Sequence, residues 1–145
     1  MQQLKEDLAP DKNQLVVLWG AGGVGKTTLA VEAAQALGAV FGRRMVWASP
    51  ELRADLTLAT LLDEIAAQLG RADLRPLAFE PKEEGVRALL AEAHTLVILD
   101  NFETIAPGEQ TRCAEWLARR APCPALITTR QKVAVTGARN ISINA

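Results

Sequence analysis

Five apolar residues, Leu15-Val16-Val17-Leu18-Trp19, run directly into Gly20-Ala21-Gly22-Gly23-Val24-Gly25-Lys26-Thr27, and no other stretch limits the fold so tightly. A short unbroken apolar run reads as a strand buried on both faces. After the glycines, Leu29, Ala30, Ala33, Ala34 and Leu37 share one helical face, and Gly38 supplies a stop. A strand, a glycine turn and a helix in immediate succession open a βα unit. The glycines let successive backbone N–H groups turn inward as a nest for an anion, and the helix aims its positive end at the same point.

The alternation continues along the chain. Met45-Val46-Trp47-Ala48 is a second apolar run, and Leu58, Leu61, Leu62, Ile65, Ala66 and Leu69 then repeat at helical spacing up to Gly70. Residues 71–82 hold two prolines and mixed charge and are expected to form a loop. Val86, Leu89, Leu90 and Ala93 mark another helix with Pro81 near its first turn. Thr95-Leu96-Val97-Ile98-Leu99 is a third strand ending in Asp100, and Ala125-Leu126-Ile127-Thr128-Thr129 is a fourth, reached through a helix centred on Trp116 and Leu117. Ile141 and Ile143 alternate with polar residues, as in an edge strand. Strands alternating with helices predict a three-layer α/β sandwich around a central, mostly parallel sheet of about five strands. Residues 1–13 are polar, carry Pro10 and are expected to be a lead-in to a domain spanning 14–145.

Composition narrows the function classes. A chain of 145 residues is the size of one domain, and 49% hydrophobic with 23% charged residues excludes a disordered chain. Sixteen Lys and Arg against 17 Asp and Glu exclude a chain-wide basic field, so no direct nucleic-acid binding is expected. Cys113 and Cys123 are too few for a disulfide framework, no apolar run is long enough for a membrane helix, and the N-terminus is too acidic for a secretory signal. A soluble, cytoplasmic protein with no membrane partner is the expectation.

The site chemistry follows from three segments. Residues 20–27 fit G-x-x-x-x-G-K-[ST] at every fixed position, after a strand and before a helix. Gly20, Gly22, Gly23, Val24 and Gly25 would cradle phosphate, Lys26 would reach the β- and γ-phosphates as a point charge, and Thr27 would complete a Mg²⁺ shell. Thr28 would assist at the α-phosphate. Such a P-loop needs a second carboxylate on the metal side, and Asp100 at the end of its apolar strand supplies it, although an Asp there also suits a helix cap. Asn101 follows, a residue that orients water but takes no proton from it. Glu103 is the nearest carboxylate, either a general base or a solvated loop residue. Arg130 ends the fourth strand on the same rim, where it would read the γ-phosphate. His94, Trp47 and Trp116 receive no role in the site.

Gly-Ala-Gly-Gly-Val-Gly-Lys-Thr-Thr-Leu-Ala at 20–30, Leu-Val-Ile-Leu-Asp-Asn-Phe-Glu at 96–103 and Leu-Ile-Thr-Thr-Arg at 126–130 together resemble the nucleotide-binding core of the NB-ARC (STAND-class) signalling ATPases. Val46-Trp47-Ala48 is similar to that family's strand after its first helix, and the resemblance spans residues 12–145. It implies an ADP/ATP switch with Mg²⁺ in a larger signalling, regulatory or defence protein that self-oligomerises when ATP-bound. Family members continue into a helical subdomain bearing Gly-x-Pro, a winged helix and sensor repeats. The chain ends at Ala145 before these, so it is expected to be an excised core with slow or no hydrolysis in isolation.

Other P-loop classes fit less well. Partition-type ATPases carry a signature lysine where this chain has Ala21, and the guanine-reading Asn-Lys-x-Asp of GTPases is missing. A P-loop kinase would need a lid, for which 71–82 is a weak match. A non-hydrolysing, ADP-bound scaffold remains the main alternative, and Asn101 favours it over a fast ATPase.

Overall fold

The computed structural model describes residues 2–21, 25–50 and 56–143. Five strands, β1 (Leu15–Trp19), β2 (Met45–Ala48), β3 (Leu96–Leu99), β4 (Ala125–Thr129) and β5 (Ala138–Ser142), pair in the order β2-β3-β4-β1-β5. Every pairing is parallel, including that of β5 with β1. The sheet is α/β in the P-loop NTPase manner, with β4 inserted between the strand that precedes the glycine loop and the strand that ends at Asp100.

Among the described residues, six α-helices cover the sheet: α1 (Gln2–Asp7), α2 (Lys26–Ala36), α3 (Gly38–Phe41), α4 (Leu58–Gln68), α5 (Phe79–Ala91) and α6 (Pro107–Arg119). Alternation along the strands sorts them into layers. Leu15, Val17, Val46, Ala48, Val97, Leu99, Ala125 and Ile127 face a core built with α4, α5 and α6. Val16, Leu18, Leu96, Ile98 and Leu126 face a second core built with α1, α2 and α3. Both faces are covered, which is why β1, β3 and the first three residues of β4 read as apolar runs rather than as alternating ones.

Three segments differ from the sequence reading. The lead-in folds as α1, because Leu4 and Leu8 stand four residues apart and both bury against the second core. Asp7, itself buried, adds an ion pair to the half-exposed Arg139 of β5, whose Nε lies 2.8 Å from its Oδ2. α2 ends at Ala36, just before Gly38, but Gly38 then opens the extra turn of α3, which buries Phe41, and the reversal comes at Gly42 with φ 57°. The 71–82 stretch is only partly loop. A 3-10 turn over Ala72–Leu74 seats Leu74 in the core against Gly85, and α5 already begins at Phe79. Pro81 then falls in the first turn, where its missing N–H has no helical partner to lose.

The remaining helix ends follow local chemistry. Thr57 and Thr60 cap α4 reciprocally, while Glu109 of α6 accepts the Leu58 N–H at 2.8 Å. That bond is the main cause holding the Glu109 carboxyl below the usual carboxylate range, with Arg112 adding to it. Between α4 and α5, Lys82 Nζ lies 2.7 Å from Asp63 Oδ1, and both side chains are largely buried.

Candidate nucleotide site

The rim of the sheet gathers the residues that carry chemistry. β1 delivers the chain to the glycine loop, and the Gly20 N–H continues the ladder by donating to the Thr129 carbonyl at 3.2 Å. Gly25 precedes α2 in the left-handed region, φ 84° and ψ 23°, where a residue with a Cβ is strained. It turns the chain so that α2 begins at Lys26 with its free N–H groups at the loop. Gly22, Gly23 and Val24, expected to cradle phosphate, lie outside the described residues.

Lys26 is half-buried, and its ammonium reaches back across the loop to donate to the carbonyls of Gly20 (3.1 Å) and Ala21 (3.2 Å). Thr27 Oγ1 donates to the Asp100 carboxylate, 3.0 Å from Oδ1 and 3.3 Å from Oδ2. The two residues are 73 positions apart in the chain, and the parallel sheet brings them together. A hydroxyl and a carboxylate at this separation are hard oxygen donors of the kind Mg²⁺ takes, one or two from protein with the rest from phosphate and water. The donor set fits that ion.

Asp100 is buried to 4% exposure at the end of β3, where its N–H donates to the Ala48 carbonyl. Asn101 follows in the left-handed region, φ 54° and ψ 42°, and starts a 3-10 turn over Phe102–Thr104. That turn carries Glu103 to the rim while Phe102 buries beneath it. Gly25, Lys26, Thr27, Thr28, Asn101, Glu103 and Arg130 line one cleft of about 280 Å³. Glu103 and Arg130 also border a larger, adjoining cavity of about 480 Å³ between α6 and residues 131–135. The described part of the site therefore collects the expected Lys26, Thr27, Thr28, Asn101, Glu103 and Arg130 around one opening, with Asp100 behind Thr27.

Thr128 is the polar residue to which the sequence reading gave no role. It is 1% exposed, its Oγ1 donates to Asp100 Oδ1, and the same oxygen accepts the Asn101 N–H at 3.1 Å. The available signal is a hydroxyl at the end of an otherwise apolar strand, and it becomes specific only with the strand order. The thiols contribute nothing here. Burial pushes both Cys113 and Cys123 up to about 12, which keeps them neutral and unreactive.

The NB-ARC domain family matches residues 1–142, nearly the whole chain. This chain belongs to the NB-ARC domain family. That membership and the P-loop fold make it a nucleotide-binding NTPase domain. A search of curated proteins finds no match. Among solved structures, the NB-ARC chain resembles the Aeropyrum pernix Orc1 protein in complex with DNA, with TM-score 0.66 and 20% identity over 91% of this chain and 38% of that one. Drosophila ORC bound to GC-rich DNA and Cdc6 gives TM-score 0.64 at 14% identity, covering 100% of this chain and 52% of the other. Cdc6p from Pyrobaculum aerophilum gives 0.63 at 18% identity, covering 90% and 38%. At these identities the likeness is one of fold. The chain spans between 38% and 52% of the length of these three. Among the described residues, no helix is long and apolar enough to cross a membrane.

Proposed function

We propose that this NB-ARC domain binds ADP and ATP with Mg²⁺ as the switch core of a longer signalling, regulatory or defence protein, with residues 14–145 as the nucleotide-binding unit. The observation that carries the reading is the Thr27–Asp100 contact at 3.0 Å, which joins the start of α2 to the end of β3 beside Lys26. In this reading Lys26 exchanges its two loop carbonyls for the β- and γ-phosphate oxygens, which are stronger acceptors. The loop N–H groups and the start of α2 hold the phosphates, assisted by Thr28. Thr27 and Asp100 hold the metal, which when bound neutralises charge developing on the phosphates. Arg130 meets the γ-phosphate from the end of β4 and separates the triphosphate from the diphosphate.

Hydrolysis is slow in this scheme. The Asn101 amide orients a water but takes no proton, which leaves Glu103, in the same cleft, as the acceptor. A long-lived ATP state suits a switch whose parent self-associates while ATP is bound. The near-neutral charge gives no support to a nucleic-acid role for this domain, and two buried, unpaired thiols suit a reducing cytoplasm.

A thermal-shift and calorimetric titration with ADP, Mg·ATP and GTP, run beside Lys26→Ala, tests the reading. Ligand at about 100 times its dissociation constant adds roughly 2.7 kcal/mol, a midpoint rise of about 5–10 °C for a domain of this size. An adenine-selective rise that Lys26→Ala abolishes is the expected result. Equal shifts in the variant, or a GTP preference, reject it.

A further inference from the structure

We propose that Thr128 is the positioning residue of the metal side, fixing the Asp100 carboxylate and the Asn101 turn through one hydroxyl. The inference rests on the magnesium-nucleotide reading above and adds to it a residue that never touches the nucleotide.

The topology makes this position singular. Because β4 lies between β1 and β3, a β4 side chain can stand between the glycine-loop strand and the strand that ends at Asp100. Register places Thr128 opposite Leu18 on β1, and Ile127 opposite Leu99 on β3. One step further along the rim, Thr128 and Asp100 are neighbours on the α2 side of the sheet. The hydroxyl has one proton. With the Asn101 N–H directed at its oxygen from 3.1 Å, that proton is committed to Asp100 Oδ1. The β-branched side chain has little χ1 freedom and is 1% exposed, so the hydroxyl does not swing away to water.

Two consequences follow. Asp100 Oδ1 accepts from Thr128 as well as from Thr27, to which it is the nearer carboxylate oxygen at 3.0 Å, and the two donors together hold the carboxylate in one orientation. The Asn101 N–H is tied as the chain enters its left-handed turn, so the placement of the Asn101 amide and of Glu103 depends on the same hydroxyl. Thr128 thereby links the metal side of the cleft to the water side, in the way that outer-sphere partners orient metal-ligating carboxylates.

The test compares the 145-residue chain with T128V and T128S by calorimetry with ADP, once with Mg²⁺ and once with chelator. The expected result is that T128V keeps the chelator-state ADP affinity while losing about 10–100-fold of the magnesium-dependent gain. T128S, which retains the hydroxyl, keeps that gain. A wild-type gain in T128V overturns the proposal alone. Absence of any magnesium gain in the unmodified chain overturns the proposal together with the reading beneath it. Should T128V fail to fold, T128A carries the same comparison. A second readout needs no nucleotide: amide exchange at Asn101 is slow in the wild type and T128S and accelerated in T128V or T128A, and unchanged exchange also overturns the proposal.

Discussion

At the scale of single residues, Asn101 is held in a conformation that few side chains accept. Its φ of 54° and ψ of 42° fall in the left-handed region, which costs an ordinary L-residue about 1–2 kcal/mol and asparagine less. Its carbonyl accepts from the Thr104 N–H and hydroxyl, so the turn is bonded on both sides of the residue. Asn101→Gly is therefore expected to keep stability within about 0.5 kcal/mol, whereas Asn101→Val, β-branched, loses about 1–2 kcal/mol in urea melts. Equal midpoints for the two variants would show that the turn is not fixed in this region. The residue scale also explains what the sequence made legible. Gly20, Gly25, Lys26, Thr27 and Asp100, the residues proposed for phosphate and metal, stand in a fixed local spacing or at the end of an apolar run. Thr128 acts across strands, and a contact set by strand order has no local spacing to betray it.

At the scale of elements, the tie between α5 and α6 carries a pH signature. Glu83 accepts from Arg120 at 2.7 and 3.1 Å and from the Trp116 indole N–H at 2.9 Å. The Arg120 guanidinium, and then Trp116, hold its carboxyl below its ordinary 4.5. A carboxylate depressed in the folded state stabilises the fold fully above its unfolded value, and that contribution fades as pH falls through the lower native one. Arg120 is half-exposed, which limits the expected loss in Glu83→Gln to about 1 kcal/mol at neutral pH. Denaturant midpoints of wild type and variant should converge as the pH drops below 4.5; a constant gap down to acid would mean that the carboxylate charge contributes nothing. Elements of this kind were readable wherever burial is periodic, as in α4, or total, as in β1, β3 and β4. The start of α5 was hidden by Ala78-Phe79-Glu80-Pro81, whose proline reads as a breaker although it sits where helices tolerate it. α1 was hidden because two leucines in a polar segment are too few to show a period, and only the waiting apolar face of the sheet makes them a helix.

At the scale of the whole molecule, an open parallel sheet must manage its edges. β2 is one of them, and its exposed ladder groups are closed by a side chain from the helix that follows it. The Gln68 carboxamide accepts the Trp47 N–H at 3.0 Å and donates to the Trp47 carbonyl at 2.8 Å, copying the two bonds that a further strand would make. The ground beside this edge is apolar. Val31, Ala34, Met45 and Trp47 line a groove of about 360 Å³ along α2, and Val31 is 39% exposed. An edge with free backbone groups next to such a surface is a template for pairing with another chain. Gln68→Ala removes both bonds at little thermodynamic cost, about 0.5–1.5 kcal/mol each where buried and less at this exposed position. Its main effect should instead be on association. Sedimentation velocity at rising protein concentration is expected to show the wild type unchanged and Gln68→Ala shifting to larger species, while Gln68→Lys, which loses the carboxamide pair but places a charge at the edge, remains dispersed. If Gln68→Ala sediments as the wild type does, the carboxamide is not what keeps β2 from pairing, and the half-buried indole of Trp47 beside it must be sufficient to block a strand.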